Sequence, residues 1–171
     1  DDLGWIQYTG GTTGAPKGAM LSHRNAAHNM LSINRWLGWE WGQGVLLSGF
    51  PKFHIAGLTV CESAIFFGWT QVLIPNPRDT EHICKEMAKY KPTNMANVPS
   101  LYQMLMADPK FKALDHSTLG TCIAAAAPFP KESQAELEKI IGKGKLLELY
   151  GMTETSPVST MNPSQGRKKL G

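Results

Sequence analysis

Three consecutive runs decide the fold: Val45-Leu46-Leu47-Ser48, then Ile55-Ala56-Gly57-Leu58-Thr59-Val60-Cys61-Glu62-Ser63-Ala64-Ile65-Phe66-Phe67, then Gln71-Val72-Leu73-Ile74-Pro75. The first reads as a short buried strand, the second as a mostly apolar helix, and the third as another strand closed by proline. Outward from this unit the alternation continues. Thr80–Lys89 is an amphipathic helix with Ile83, Met87 and Tyr90 on one face, and Thr93–Ala96 is a short strand. Pro99 suits the first position of a helix through Leu105, with Leu101, Met104 and Leu105 as core residues. Leu119–Ala125 reads as a strand, Pro130–Ile141 as a helix, and Lys145–Leu149 as a strand. Toward the start, Ser22 is a good cap for a helix over His23–Leu37 that uses Ala27, Met30, Leu31 and Leu37, and Trp5–Tyr8 is a short strand. Short strands alternating with helices imply an α/β fold, a mostly parallel sheet with helices on both faces, over residues 1–171. Such sheets bind ligands beyond the carboxyl ends of their strands. That singles out the loops after Tyr8 and after Leu149.

Composition excludes several classes. The 171 residues are 42% hydrophobic and 18% charged, too apolar for disorder and too mixed for a membrane protein. The apolar stretch Ile55–Ile74 carries Glu62 and Gln71, so no transmembrane segment is expected. The net charge of +3 comes partly from Arg167, Lys168 and Lys169, which read as a solvated tail, and no basic stripe with interleaved aromatics suggests a nucleic-acid partner. Cys61, Cys84 and Cys122 have no metal-site spacing and read as free thiols of a reducing, cytoplasmic compartment. The chain opens on Asp1-Asp2 without Met, which suggests a segment of a longer protein.

Residues 8–18 read Tyr-Thr-Gly-Gly-Thr-Thr-Gly-Ala-Pro-Lys-Gly. Gly10, Gly11, Gly14 and Gly18 free backbone N–H groups, Thr9, Thr12 and Thr13 add hydroxyls, and Lys17 adds a point charge. Donors and one cation without bulk make a cradle for phosphate oxygens. The alternative is an ordinary glycine- and threonine-rich surface turn. The Walker pattern fails because Lys17 is followed by Gly18, and the dinucleotide pattern fails on glycine spacing. The loop looks like a flexible flap over a triphosphate.

This segment closely resembles the signature loop of the adenylate-forming superfamily, which includes acyl-CoA synthetases, luciferases and peptide-synthetase adenylation domains. Gly10 stands where the usual family form has Ser. Met20-Leu21-Ser22-His23 matches the element that follows it. Leu149-Tyr150-Gly151-Met152-Thr153-Glu154-Thr155 resembles the second signature. There Tyr150 offers a flat face to adenine, Gly151 lets the backbone turn, Thr153 offers a hydroxyl to an α-phosphate, and Glu154 is a hard oxygen ligand suited to Mg²⁺. Without the first loop, the same run would pass for a strand-to-loop transition. Phe53-His54-Ile55-Ala56-Gly57 resembles the family's aromatic-His-x-x-Gly segment, where His54 would orient the attacking carboxylate; a helix-start histidine satisfied by backbone is the other reading. Ala124-Ala125-Ala126-Ala127-Pro128 stands where relatives carry glycines before Ala-Pro, so that Ala126, Ala127 and Pro128 would lie against adenine. Val98-Pro99-Ser100 matches a further element, and Met152 favours the acyl-CoA synthetase branch.

The resemblance implies a reaction in which a carboxylate attacks the α-phosphate of ATP and the thiol of coenzyme A then displaces AMP. A fatty acid would be the carboxylic acid, and Thr9, Thr12, Thr13 and Lys17 would hold the terminal phosphates. Peripheral membrane contact of the intact enzyme is compatible with such a substrate. Relatives also use an Asp for ribose, a hinge Arg and a C-terminal Lys that lie past Gly171. The chain is therefore expected to be the central segment of the large AMP-binding domain, without its N-terminal part or C-terminal cap domain, and inactive by itself. Two other readings stay open. An aryl-CoA ligase or amino-acid adenylation domain would share both loops, the latter needing an acid for the amino group, for which Asp79 is the nearest candidate. A non-catalytic nucleotide-binding module would share them without the chemistry.

Overall fold

The computed structural model describes residues 2–10 and 14–168. The elements run β1 (Leu3–Thr9), β2 (Lys17–Ser22), α1 (His23–Leu37), β3 (Val45–Ser48), α2 (Ile55–Phe66), β4 (Thr70–Leu73) and α3 (Thr80–Tyr90). They continue with β5 (Asn94–Asn97), α4 (Pro99–Ala107), α5 (Pro109–Ala113), β6 (Thr121–Ala125), α6 (Lys131–Ile141), β7 (Leu146–Gly151) and β8 (Val158–Met161). Six strands form one sheet in the order β4-β3-β5-β6-β7-β8. The first five are mutually parallel, and β8 returns antiparallel to β7.

Every residue of β5 and β6 is buried, which is how strands read when helices cover both sheet faces. On one face Leu47, Met95, Cys122 and Leu146 pack with Ile83 and Met87 of α3, Leu101 and Leu105 of α4, and Leu137 and Ile141 of α6. On the other, Ala96, Ile123, Ala125 and Leu147 pack with Ile33 and Leu37 of α1 and with Ala56 and Val60 of α2. Cys122 and Ile123 thus point to opposite faces, as the pleat requires. Burial pushes the Cys122 thiol up to about 12 and the Cys84 thiol to about 11, so both are protonated packing groups at neutral pH.

The structure differs from the sequence reading at several points. The first strand does not join the parallel sheet. It pairs with β2, which the sequence reading missed, as an antiparallel hairpin with Thr9 opposite Lys17. The signature loop is therefore a hairpin turn rather than a loop beyond a parallel strand. α5 and β8 also went unread. Leu31, Tyr90 and Met104, expected in the core, are exposed. The buried stripe of α1 is Ala26, Met30, Ile33 and Leu37; α3 buries Cys84 instead of Tyr90, and α4 buries Tyr102 and Met106 instead of Met104. In α4 the Tyr102 hydroxyl donates to the Ile123 carbonyl at 3.1 Å, which fixes the helix rotation.

Candidate active site

β6 and β7 run side by side, so their carboxyl ends open at the same edge of the sheet. Beyond β6 the chain turns sharply at Ala126, whose φ of 70° lies in the left-handed region. Ala126, Ala127 and Pro128 then form one wall of a cleft of about 590 Å³, and Tyr150 and Gly151 at the end of β7 form another. The two segments read separately in the sequence as adenine contacts are thus brought together. Tyr150 leaves 60% of its surface exposed, enough for a planar ligand to stack on its ring. The Glu148 carboxylate accepts the Phe129 N–H at 2.8 Å and ties the 126–130 loop to β7. Glu148 also lines the cleft, and no signal in the sequence reading had marked it. Gly151 is needed for a reason other than turning: a Cβ there would sit 2.2 Å from the Pro157 carbonyl oxygen. The close approach of β7 to the returning chain leaves no room for a side chain.

After β7, residues Thr153–Thr155 make a single 3-10 turn. The Ser156 N–H donates to the Thr153 carbonyl at 3.2 Å, and the Met152 N–H donates to the Pro157 carbonyl at 2.9 Å. Thr153 is half-buried and Glu154 is exposed. β2, which starts at Lys17, packs beside this turn. Glu154 also borders a polar cleft of about 410 Å³ whose opposite wall is α1, with Arg24, Asn25 and His28.

In the first loop, the Thr9 hydroxyl donates to the Lys17 carbonyl at 3.3 Å across the hairpin. The Lys17 side chain is exposed. Gly14 has a φ of 101°, where glycine is favoured, whereas Gly10 has open space around it and would accept the family's Ser without a clash. Gly11, Thr12 and Thr13 lie outside the described residues.

His54 caps α2, its Nδ1 accepting the Ala56 N–H at 3.2 Å. The backbone-satisfied reading of this histidine is the geometry present. It places the ring proton on Nε2 and leaves that nitrogen free to donate, because the residue is exposed. The Gln7 side chain donates to the Phe53 carbonyl at 3.0 Å, so the hairpin touches the His54 segment as well as the Glu154 turn. Beneath this segment lies a small apolar cavity of about 60 Å³. Phe50, Ala56 and Val60 line one side; Leu149 and Met161 line the other and are shared with the Tyr150 cleft. The sequence reading missed this cavity, since its walls come from α1, α2 and several strands. Asp79, the candidate acid for an amino group, accepts the His82 N–H at 2.9 Å as the cap of α3.

This chain is similar to known proteins in sequence and in fold. It is 38% identical to the long-chain-fatty-acid–CoA ligase of Bacillus subtilis over 99% of its length. It superposes on the ATP-bound MatB of Rhodopseudomonas palustris with a TM-score of 0.84 at 34% identity, covering 100% of the chain. A long-chain-fatty-acid–CoA ligase of Archaeoglobus fulgidus gives 0.81 at 30% identity over 95% of the chain. The chain spans 30% of the length of the first, 33% of the second and 34% of the third. The model of the AMP-binding enzymes matches residues 1–171, and with the geometry above this establishes that the chain belongs to the AMP-binding enzyme family.

Proposed function

We propose that the chain is the central part of the large domain of an ATP-dependent carboxylic acid–CoA ligase that acts on fatty acids. The observation that carries this reading is the cleft in which Ala126-Ala127-Pro128 faces Tyr150-Gly151, with the Glu154 turn and the Lys17 strand packed together next to it. The named function of the Bacillus subtilis and Archaeoglobus fulgidus relatives supports the choice of acid.

In this reading adenine stacks on Tyr150 against the 126–128 wall. The Thr153 hydroxyl serves the α-phosphate. Thr9, Thr12, Thr13, Lys17 and the N–H groups of Gly10, Gly11 and Gly14 hold the terminal phosphates. His54, with a donating Nε2, orients the fatty-acid carboxylate, and the apolar cavity under it receives the start of the acyl chain. A carboxylate is a weak nucleophile and the phosphorus is ringed by negative oxygens, so alignment and charge neutralisation are the main tasks of the site. The described residues contain no group of three metal-ligating side chains. A lone exposed carboxylate, Glu154, suits an ion held mostly by substrate phosphates, which is the usual mode for Mg²⁺. Mg²⁺ bound there supplies charge neutralisation on the phosphates. Coenzyme A then takes the acyl group from the adenylate and releases AMP. The free cysteines fit a reducing compartment, and we place the reaction in the cytoplasm.

The test is AMP release by the intact enzyme that carries this segment, with short, long and aromatic acids and coenzyme A. Long-chain acids are expected to give the highest kcat/KM. AMP release that does not depend on any acid would end the ligase reading.

A further inference from the structure

Helix α1 leaves β2 directly, and Ser22 caps it through reciprocal hydrogen bonds with Asn25. It therefore follows the hairpin with no intervening loop. Asn29 sits on the flank of its buried stripe, and its side chain reaches across to the second signature. Its Nδ2 donates to the Val158 carbonyl at 2.9 Å and to the Thr155 carbonyl at 3.3 Å, and its Oδ1 accepts the Val158 N–H at 3.3 Å. The side-chain amide thus pairs with both backbone groups of Val158 as a neighbouring strand would. Two turns further along α1, the Trp36 indole N–H donates to the Asn162 carbonyl at 3.2 Å. The two contacts bracket β8, and the first also holds the end of the turn that carries Glu154.

We infer that Asn29 is a positioning residue for Glu154: by holding Thr155 and Val158 it fixes the carboxylate relative to the hairpin that carries Lys17. This rests on the reaction proposed above, in which Glu154 serves Mg²⁺. The turn's internal hydrogen bonds, Thr155 to Met152 and Ser156 to Thr153, set its shape but not its place. Its place relative to α1 comes from the amide clamp. Outer partners of a metal ligand typically change metal affinity 10- to 100-fold when removed.

The experiment uses the intact enzyme and measures ATP binding by calorimetry with and without Mg²⁺, AMP binding, and hydrogen exchange at the Val158 amide. Asn29→Ala is expected to weaken Mg²⁺-dependent ATP binding roughly 10-fold or more. AMP binding should hold, and the Val158 amide should exchange faster. In a Glu154→Ala background the same substitution should add nothing, because both act on one interaction. Asn29→Asp keeps the shape but sets a carboxylate oxygen against two carbonyls, and it should reproduce the loss even if the alanine variant fails to fold. Equal weakening of AMP and Mg²⁺-ATP, additive effects of Asn29 and Glu154, or unchanged Mg²⁺ dependence in Asn29→Asp would each overturn the assignment. An enzyme that shows the coupling yet releases no AMP with any acid would retire the ligase reading and leave Asn29 in its role. Ligase turnover with additive variants would do the reverse.

Discussion

The hairpin β1–β2 and the cleft at the ends of β6 and β7 contribute to one candidate site by opposite physical means. The cleft is built into the sheet. One wall leaves the fully buried β6, Ala126 is held in a left-handed turn, and Glu148 ties that wall to β7. The hairpin is a two-stranded ribbon outside that sheet, with Ile6, Tyr8, Met20 and Lys17 exposed. A two-stranded ribbon is marginal by itself and takes its position from neighbours, here the Phe53 segment, the Glu154 turn and α1. The contrast suggests a division of labour. In the proposed reading a cleft anchored in the sheet takes the base, while a ribbon positioned by its neighbours meets a polyphosphate chain whose charge and length change during the reaction.

The sharpest way to break this comparison is to add one side chain to a glycine in each region. Gly151→Ala puts a Cβ 2.2 Å from the Pro157 oxygen, and neither backbone segment can yield without parting β8 from β7. A loss of about 3 kcal/mol is expected, the upper range for overpacking. Over a chain of this length that lowers the melting temperature by roughly 10 °C. Gly10→Ser meets open space and should leave stability within about 0.5 kcal/mol. Thermal unfolding of the two variants checks both, and equal shifts would show that the hairpin is as tightly built as the cleft.

A second test separates base from phosphate. In the intact enzyme Tyr150→Ala removes the exposed ring and should weaken AMP and ATP alike, by roughly tenfold, the scale of one lost stacking contact. Lys17→Ala should weaken ATP by roughly tenfold through the lost charge-assisted contact and leave AMP binding unchanged. Calorimetry with both nucleotides distinguishes them. If Lys17→Ala weakens AMP as much as ATP, the hairpin and the cleft are not divided between tail and base.

The same contrast explains what was legible in the sequence. The parallel sheet announced itself because Val45–Ser48 and Thr121–Ala125 are short, apolar and regularly spaced by helices. Residues 126–128 and 150–151 stand out through two motifs, and the shared register of β6 and β7 explains why they meet. β2 escaped because Lys-Gly-Ala-Met-Leu-Ser has no clean alternation, and only Leu21 in it is fully buried. Glu148 and Asn29 escaped for a different reason. Their work is to hold backbone groups distant in sequence, and a lone Glu in a strand or Asn in a helix carries no local sign of that. The apolar cavity was equally silent, since no single element holds more than a few of its walls.

The smallest effect concerns Ala126, where the two demands of the cleft conflict. Its φ of 70° places an alanine in a conformation that costs an L residue about 1–2 kcal/mol. Ala126→Gly removes that strain but gives the unfolded chain more freedom, which costs about 0.4–1 kcal/mol. The difference favours glycine by about 0.5 kcal/mol, a rise of roughly 1–2 °C in melting temperature. The methyl also lines the cleft, so its removal widens the wall facing Tyr150 and should weaken AMP by less than threefold through lost packing. A fall in melting temperature would show that the Glu148–Phe129 tie, made by the residue after Pro128, makes the turn comfortable for alanine. The rigidity of the cleft would then reside in that tie, and Glu148→Leu, which removes the acceptor for the Phe129 N–H, should loosen AMP binding more than Ala126→Gly does.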